Sequence, residues 1–200
     1  MSKGRYLTLA APSLGEVREK ASRFIAHAFP IGDEDDFQRQ RSEIARKHHG
    51  ARHICHAWVL GADGQHYRAF DAGEPAGSAG RPILRQLQGA GLTHAAIVVV
   101  RYFGGTLLGK AGLAHAFADA AKEALANNTV VERVVLARYT VHCTYAQVEA
   151  VKRDVLQCSG EIVEADYGER CTLHVAMPPE PADGLMATWR LQGVVVNTDA

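Results

Sequence analysis

The run THAAIVVV, Thr93 to Val100, constrains the fold more than any other part of the chain. A half-buried strand alternates apolar and polar residues, whereas a continuous apolar run is typical of a strand buried on both faces. The run leads through the glycine-rich segment RYFGGTLLG into GLAHAFADAAKEALANN, where apolar residues recur at helical spacing. The sequence therefore predicts a central strand, a glycine-rich loop and a helix in succession.

The residues before this run predict three further strands and two helices. Ser22 to Ile31 has the alternating character of a strand. The next segment is acidic at Asp33 to Asp36 and ends in basic residues and Gly50, a charge order that favours a helix. ARHICHAWVL and QHYRAF predict two strands joined by a turn at GADG, and PILRQLQG predicts a second helix. The predicted order at this stage starts β-α-β-β.

The pattern restarts after Asn127 and Asn128, which predicts a second domain. RVVLARYTVHCTY is typical of a strand, YAQVEAVKRDVLQCSG of a helix, EIVEADYGERCTLHVAM of a hairpin, and a helix and a strand follow. This β-α-β-β-α-β order is that of ferredoxin-like domains. Residues 1–130 carry a net charge of +4 and residues 131–200 a net charge of −4. We therefore predict an α+β protein with domains at 1–130 and 131–200.

Composition excludes several classes of protein. No run reaches the roughly 18 apolar residues of a membrane span. Charged residues follow the short N-terminal apolar patch at once, so we expect no signal peptide. We therefore expect a cytoplasmic location. The four cysteines form no C-x-x-C pair, which argues against a zinc knuckle or a redox motif. We expect no cofactor and no membrane partner.

The segment GGTLLGKA, Gly104 to Ala111, resembles a P-loop that lacks its last residue. A P-loop reads G-x-x-x-x-G-K-[ST], and its Ser or Thr hydroxyl holds the magnesium ion. Ala111 has no hydroxyl, and the predicted element order lacks repeated βαβ units. Nucleotide hydrolysis is therefore disfavoured, and the glycines have a structural explanation as sites of sharp turns and close packing.

Three residues between the strand and these glycines have no such explanation: Arg101, Tyr102 and Phe103. A buried guanidinium needs a partner because its desolvation is costly. That partner is either a carboxylate, Asp71 or Glu74, or the phosphate of a ligand. Lys110 and the free N–H groups of the following helix favour an anion at the same end. Tyr102 and Phe103 are candidates for base stacking, for a protein contact, or for the core.

Two other features allow an enzyme as the alternative. Asp71 and Glu74 stand three residues apart in the glycine-rich segment DAGEPAGSAGRP, and paired carboxylates can serve as acid and base. In HICH, His53 and Cys55 share one face of a strand, and Asp71 on the neighbouring strand would supply a third ligand for a metal. A hydrogen-bonded strand histidine beside a buried thiol is the simpler interpretation.

Three segments together resemble the IMPACT/YigZ family: ARHICHAWVL, DAGEPAGSAGRPIL and VVVRYFGGTLLGKAGLAHAF. The resemblance covers Ser22 to Leu125. It implies that the first domain has the fold of the fourth domain of elongation factor G and of a small-subunit ribosomal protein. It also implies a ferredoxin-like second domain similar to the fifth domain of that factor. The chain departs from the family's DDGEP and TAG strings at Ala72 and Ser78.

The resemblance further implies a role in translation. Our leading hypothesis is a regulator rather than an enzyme, which binds RNA, the ribosome or a translation-associated protein through the DAGEP and RYFGG loops. The alternative is a hydrolase that uses Asp71, Glu74 and His53, with or without a metal. The resemblance transfers no established catalytic residue. The residues predicted to bind nucleic acid or an anion are Arg101, Tyr102, Phe103, Gly104, Gly105 and Lys110.

Overall fold

A computed structural model describes residues 4–168 and 170–198. The chain divides into two compact units. The N-terminal unit is Tyr6–Arg133, and the C-terminal unit runs from Val134 onward and includes Gly4 and Arg5. Both contain helices and sheets, so the α+β class predicted from the sequence is confirmed. None of the described helices combines the length and apolar character needed to cross a membrane.

The N-terminal unit is built on a five-stranded antiparallel sheet in the order β2-β3-β6-β4-β5, and strands β1 and β7 form a separate two-stranded sheet. The strands are β1 Arg5–Leu9, β2 Ser13–Glu19, β3 Ser22–Pro30, β4 His53–Leu60, β5 His66–Phe70, β6 Ala95–Tyr102 and β7 Val130–Val134. The helices are α1 Glu34–Lys47, α2 Gly80–Gly89 and α3 Gly109–Ala126.

Helices cover both faces of this sheet. Helices α2 and α3 pack on one face, with Ile83, Leu87 and Phe117 in the core. Helix α1 packs on the other face through Phe37 and Ile44. Strand β6 lies in the centre, so its residues are buried on both sides. This arrangement confirms the prediction drawn from the continuous apolar run, since a central strand between two helical layers has no face to expose.

The predicted start of the chain was incomplete. The element order begins β-β-β-α rather than β-α, because β1 and β2 precede the first strand that the sequence predicted. Strand β2 is an edge strand with mostly exposed side chains, and α3 packs against it so closely that a Cβ on Gly15 would lie 2.3 Å from Ala124 N. Strand β2 has a weak apolar pattern and β1 is only five residues long, so the sequence predicted neither.

The C-terminal unit has the element order β-α-β-β-α-β, as predicted. Its sheet is antiparallel in the order β11-β8-β10-β9, and a 3-10 turn at Tyr145–Gln147 precedes α4. The strands are β8 Ala137–Cys143, β9 Glu161–Tyr167, β10 Cys171–Met177 and β11 Val195–Thr198, and the helices are α4 Val148–Gln157 and α5 Pro179–Leu191. Both helices contribute to the hydrophobic core of this unit, which includes Trp189. The one strand predicted over RVVLARYTVHCTY is two strands, β7 and β8.

Candidate functional site

The two segments singled out in the sequence meet through a buried ion pair. Arg101, near the end of β6, places Nη1 2.7 Å from Oε1 and 2.9 Å from Oε2 of Glu74 in the DAGEP segment. The two side chains are 7% and 3% exposed. The guanidinium also lies over the rings of Phe24 and Phe103, at 5.6 and 5.4 Å from their centroids. Of the two partners left open for Arg101, the structure shows the carboxylate.

This geometry gives Arg101 a partner within the protein, whereas its predicted contact with phosphate stays a prediction. The side chain is inside the protein, and its Nη1 is fully engaged with Glu74. Its role is to join the DAGEP segment to the end of β6. Breaking such a pair leaves an uncompensated buried charge, so we assign Arg101 to positioning of the loops rather than to ligand contact.

Asp71 fixes the conformation of the DAGEP segment by accepting hydrogen bonds from its backbone. One carboxylate oxygen accepts hydrogen bonds from the backbone N–H groups of Ala79 and Gly80, at the start of α2, and the other accepts one from Gly77. Partial burial by itself raises the pKa of Asp71, but these three N–H groups and Arg81 outweigh it, so the pKa lies below its usual value. The carboxylate is ionised and serves as the N-terminal cap of α2.

His53 and Cys55 are positioned by the same segment. His53 Nδ1 lies 3.0 Å from the carbonyl oxygen of Ala72, and the Cys55 thiol donates to the carbonyl oxygen of Asp71 at 3.0 Å. Burial, followed by the charges of Glu74 and Asp71, raises the pKa of the Cys55 thiol. Within residues 4–168 and 170–198, no group of three or more His, Cys, Asp and Glu side chains is placed to hold a metal ion. The simpler interpretation of HICH is therefore the one that the contacts support.

Tyr102 and Arg101 lie on opposite faces of the sheet. Alternate residues of a strand point to opposite faces, and Tyr102 points to the α1 face, where its hydroxyl lies 2.9 Å from His48 Nδ1. His48 Nε2 in turn lies 3.0 Å from His27 Nε2. Burial, then the neighbouring His48 and Lys47, lowers the pKa of His27 to about 4. The Tyr102 ring therefore belongs to a half-buried network, and of the two aromatic residues predicted to stack on a base Phe103 is the more exposed.

The glycines in and after the RYFGG loop have different structural roles. A Cβ on Gly104 would lie 2.1 Å from Ala21 C, and Gly104 N donates to Ser22 Oγ, so this glycine approaches its own chain rather than a ligand. Gly105 and Gly109 have φ of +86° and +70° with open space where a Cβ would stand. Phe103 is 55% exposed and Leu107 is 84% exposed. The loop therefore presents apolar side chains on a backbone that only glycine adopts without strain.

A basic cleft of about 480 Å³ lies beside this loop, between the first turns of α2 and α3. We define it by Arg81, Arg85, Lys110 and the capped carboxylate of Asp71. The three cations are exposed, and α3 has no side-chain cap at its N-terminus. Lys110 was predicted from the sequence, whereas Arg81 and Arg85 were missed. Their spacing of four residues in GRPILRQLQG, which puts both on one helix face, was the available signal.

Comparisons with known proteins agree with this architecture. The model of the Impact N-terminal domain matches residues 20–125, and that of a domain of unknown function, DUF1949, matches residues 141–188. IMPACT family member YigZ of Escherichia coli is 38% identical over 86% of each chain. The chain belongs to the IMPACT family. The family member YvyE of Bacillus subtilis is 32% identical over 82% of this chain and 76% of its own.

Solved structures extend the likeness of this IMPACT family chain to three dimensions. A crystal structure of a protein described as hypothetical superimposes with a TM-score of 0.77, covers 98% of both chains and is 34% identical. The structure of the two-domain translational regulator Yih1 covers 64% of this chain and 48% of its own, with a TM-score of 0.35 and 20% identity. That score is too low to support an argument about this chain.

Proposed function

We propose that this IMPACT family protein is a translation-linked regulator that binds RNA, free or within the ribosome, at the surface formed by the basic cleft and the RYFGG loop. The observation that carries the proposal is the group of three exposed cations in the cleft, Arg81, Arg85 and Lys110. Phosphate groups of a nucleic acid fit such a group, and the N–H groups at the start of α3 add to the attraction.

The charge of Asp71 does not cancel this attraction. Its two oxygens are directed at the N–H groups of Gly77, Ala79 and Gly80, so the carboxylate is balanced locally by the start of α2. Arg101 and Glu74 likewise neutralise one another inside the protein. The cleft therefore keeps the positive charge of its three exposed cations. This local charge can attract an anion even though the positive and negative charges of the whole chain cancel.

The apolar tip of the loop completes the surface. Phe103 follows Arg101 of the buried ion pair by two residues, and its ring lies 5.4 Å from the Arg101 guanidinium while about half of the residue remains exposed. A ring that is both held and exposed can stack on an unpaired base. Gly105 and Gly109 leave the backbone open on either side of Leu107, which allows a ligand to approach closely.

RNA binding across a salt series tests this proposal. We would measure fluorescence anisotropy with single-stranded RNA and co-sedimentation with ribosomes for the wild type, Arg81→Gln and Lys110→Gln. Each variant is expected to reduce the magnitude of the slope of log affinity against log salt by about 0.7–0.9, since one phosphate contact is lost. Arg46→Gln, at an exposed position near the end of α1, is the matched control and should leave the slope unchanged.

Two results would overturn the proposal. One is the absence of binding to both RNA and ribosomes at low salt. The other is an equal loss of affinity in Arg46→Gln, which would show a diffuse charge effect rather than a site at the cleft.

The hydrolase alternative, in which Asp71 and Glu74 act as acid and base, finds no support in the geometry. Both carboxylates are engaged in contacts that hold the loops.

The second candidate is a translation-associated protein partner, and the exposure of Leu107 and Phe103 favours it. Large apolar side chains that stand free of the surface are typical of protein contacts. Such binding would depend little on salt and would be lost in Leu107→Ser. The same salt series therefore separates the two candidates.

We also propose that the two units have the folds that the resemblance implies. These are the elongation factor G domain IV-like fold for residues 1–130 and a ferredoxin-like fold for residues 131–200. Supporting the second is the strand order β11-β8-β10-β9 with two helices in the core. A cytoplasmic location is part of the same proposal.

A further inference from the structure

Two cysteines face each other across the central strands of the C-terminal unit. Cys143 is the last residue of β8 and Cys171 the first of β10, and the antiparallel register pairs them directly. Both thiols lie in the core of the unit, at 5% and 1% exposure. The pairing continues through Val141 and Leu173, so the two cysteines point to the same face of the sheet.

The register alone brings the two residues within reach of a disulfide. Directly opposed residues in an antiparallel pair have Cα atoms about 4.5–5.5 Å apart. A disulfide spans Cα atoms about 4.4–6.8 Å apart. The other two cysteines are placed differently: Cys55 belongs to the N-terminal unit and donates to Asp71, and Cys158 follows the end of α4.

The pair also lies at one end of the β8–β10 ladder. Strand β8 ends at Cys143 and β10 begins at Cys171, so few ladder hydrogen bonds must break to expose the thiols. Burial raises the pKa of the Cys143 thiol, and the neighbouring Cys171 raises it further. In the closed sheet the Cys143 group is therefore a protonated, buried thiol, and its reaction requires this local opening.

We propose that Cys143 and Cys171 form a modification site at which a peroxide closes an intramolecular disulfide. The Cys143 thiolate attacks one peroxide oxygen, the O–O bond breaks, and a sulfenic acid forms as the other oxygen leaves as water. The Cys171 thiolate then attacks the Cys143 sulfur and expels the hydroxyl as a second water. Two thiols are thus oxidised by two electrons to one disulfide, and hydrogen peroxide is reduced to two waters.

Mass spectrometry of the full chain after treatment with hydrogen peroxide tests this site. The wild type and the control Cys158→Ala are expected to lose about 2 Da, the mass of two thiol hydrogens, and to regain it with dithiothreitol. Cys143→Ala is expected to keep its mass under the same mild treatment. Trypsin cleaves after Arg138, Lys152, Arg170 and Arg190, which places each cysteine in a separate peptide. The linked product joins peptides 139–152 and 171–190.

The proposal is overturned if the wild type keeps four alkylatable thiols, or if the linked peptide contains Cys158 instead of Cys143 or Cys171. Loss of the same mass from Cys143→Ala would overturn it as well. If Cys143→Ala does not fold, the identity of the linked peptides in the wild type and in Cys158→Ala decides the question alone.

Discussion

Arg101 Nη1 lies 2.7 Å from one carboxylate oxygen of Glu74 and 2.9 Å from the other, inside the protein. This contact joins the end of the central strand to the DAGEP segment, which is 27 residues earlier in the chain. The exposed Phe103 ring lies against the same guanidinium, and Glu74 belongs to the segment whose Asp71 lines the basic cleft. The pair therefore acts on function by positioning the surface that we propose binds RNA.

Removal of one partner of this pair should destabilise the protein strongly. For Arg101→Ala we expect a loss of about 3–5 kcal/mol in the free energy of unfolding, because the Glu74 charge is left buried alone. Urea denaturation measures it. The control is Arg39→Ala, whose pair with Asp36 is at the surface and should contribute less than about 1 kcal/mol. Equal losses in the two variants would contradict the positioning role.

Gly104 should tolerate no side chain. In Gly104→Ala the new Cβ would meet the backbone of Ala21 and Ser22 at 2.1–2.4 Å, so the loop must move away from the β2–β3 turn. We expect a loss of about 2–4 kcal/mol in thermal or urea unfolding. Gly89→Ala is the matched control, since nothing lies within 4 Å of its Cβ position, and it should change stability by less than about 0.5 kcal/mol. A neutral Gly104→Ala would refute this packing.

His56 should make the protein less stable in mild acid. Its ring lies between Phe37 and Phe70, and burial, then the charge of Arg41, lowers its pKa from 6.5 to about 4. The unfolded chain therefore binds a proton between these pH values that the folded chain does not bind. Above about pH 6.5 this difference has no effect on stability. As pH falls toward 4, protonation of His56 in the unfolded chain lowers the free energy of unfolding, by a total on the order of 3 kcal/mol.

The measurement is urea unfolding of the wild type and His56→Leu at pH 7, 6 and 5. The carboxylates contribute equally to both proteins, so the difference in their pH dependence isolates His56. We expect a shallower loss of stability on acidification in His56→Leu. Parallel pH profiles would show that His56 is not the group that resists protonation.

Phe103 should contribute to RNA affinity without changing its salt dependence. Phe103→Ala removes a ring that is 55% exposed and carries no charge, so we expect about 1–3 kcal/mol weaker binding with the same slope against log salt. Fluorescence anisotropy with single-stranded RNA measures both quantities. Tyr145→Ala, which removes an exposed ring in the C-terminal unit, is the control. Unchanged affinity in Phe103→Ala would remove the stacking role.

Much of the architecture follows from local patterns in the sequence. The continuous apolar run predicted the central strand β6, because only a strand covered on both sides can be apolar throughout. The acidic start of α1 predicted its N-terminus, and Asp33 does accept a hydrogen bond from Asp36 N there. Periodicity and turn residues also predicted the β-α-β-β-α-β order of the C-terminal unit. These features depend on neighbours in the chain, and so they can be read from it.

The roles of the site residues depended on contacts between distant parts of the chain, and only the tertiary structure decided them. The sequence determined that Arg101 needs a partner, but Glu74 and phosphate satisfy a guanidinium equally well. The fold brought Glu74 to Arg101, turned Tyr102 to His48, and set Gly104 against Ala21, 83 positions earlier. Strand parity gives which residues share a face, whereas the helix that covers each face is set by the packing of the whole unit.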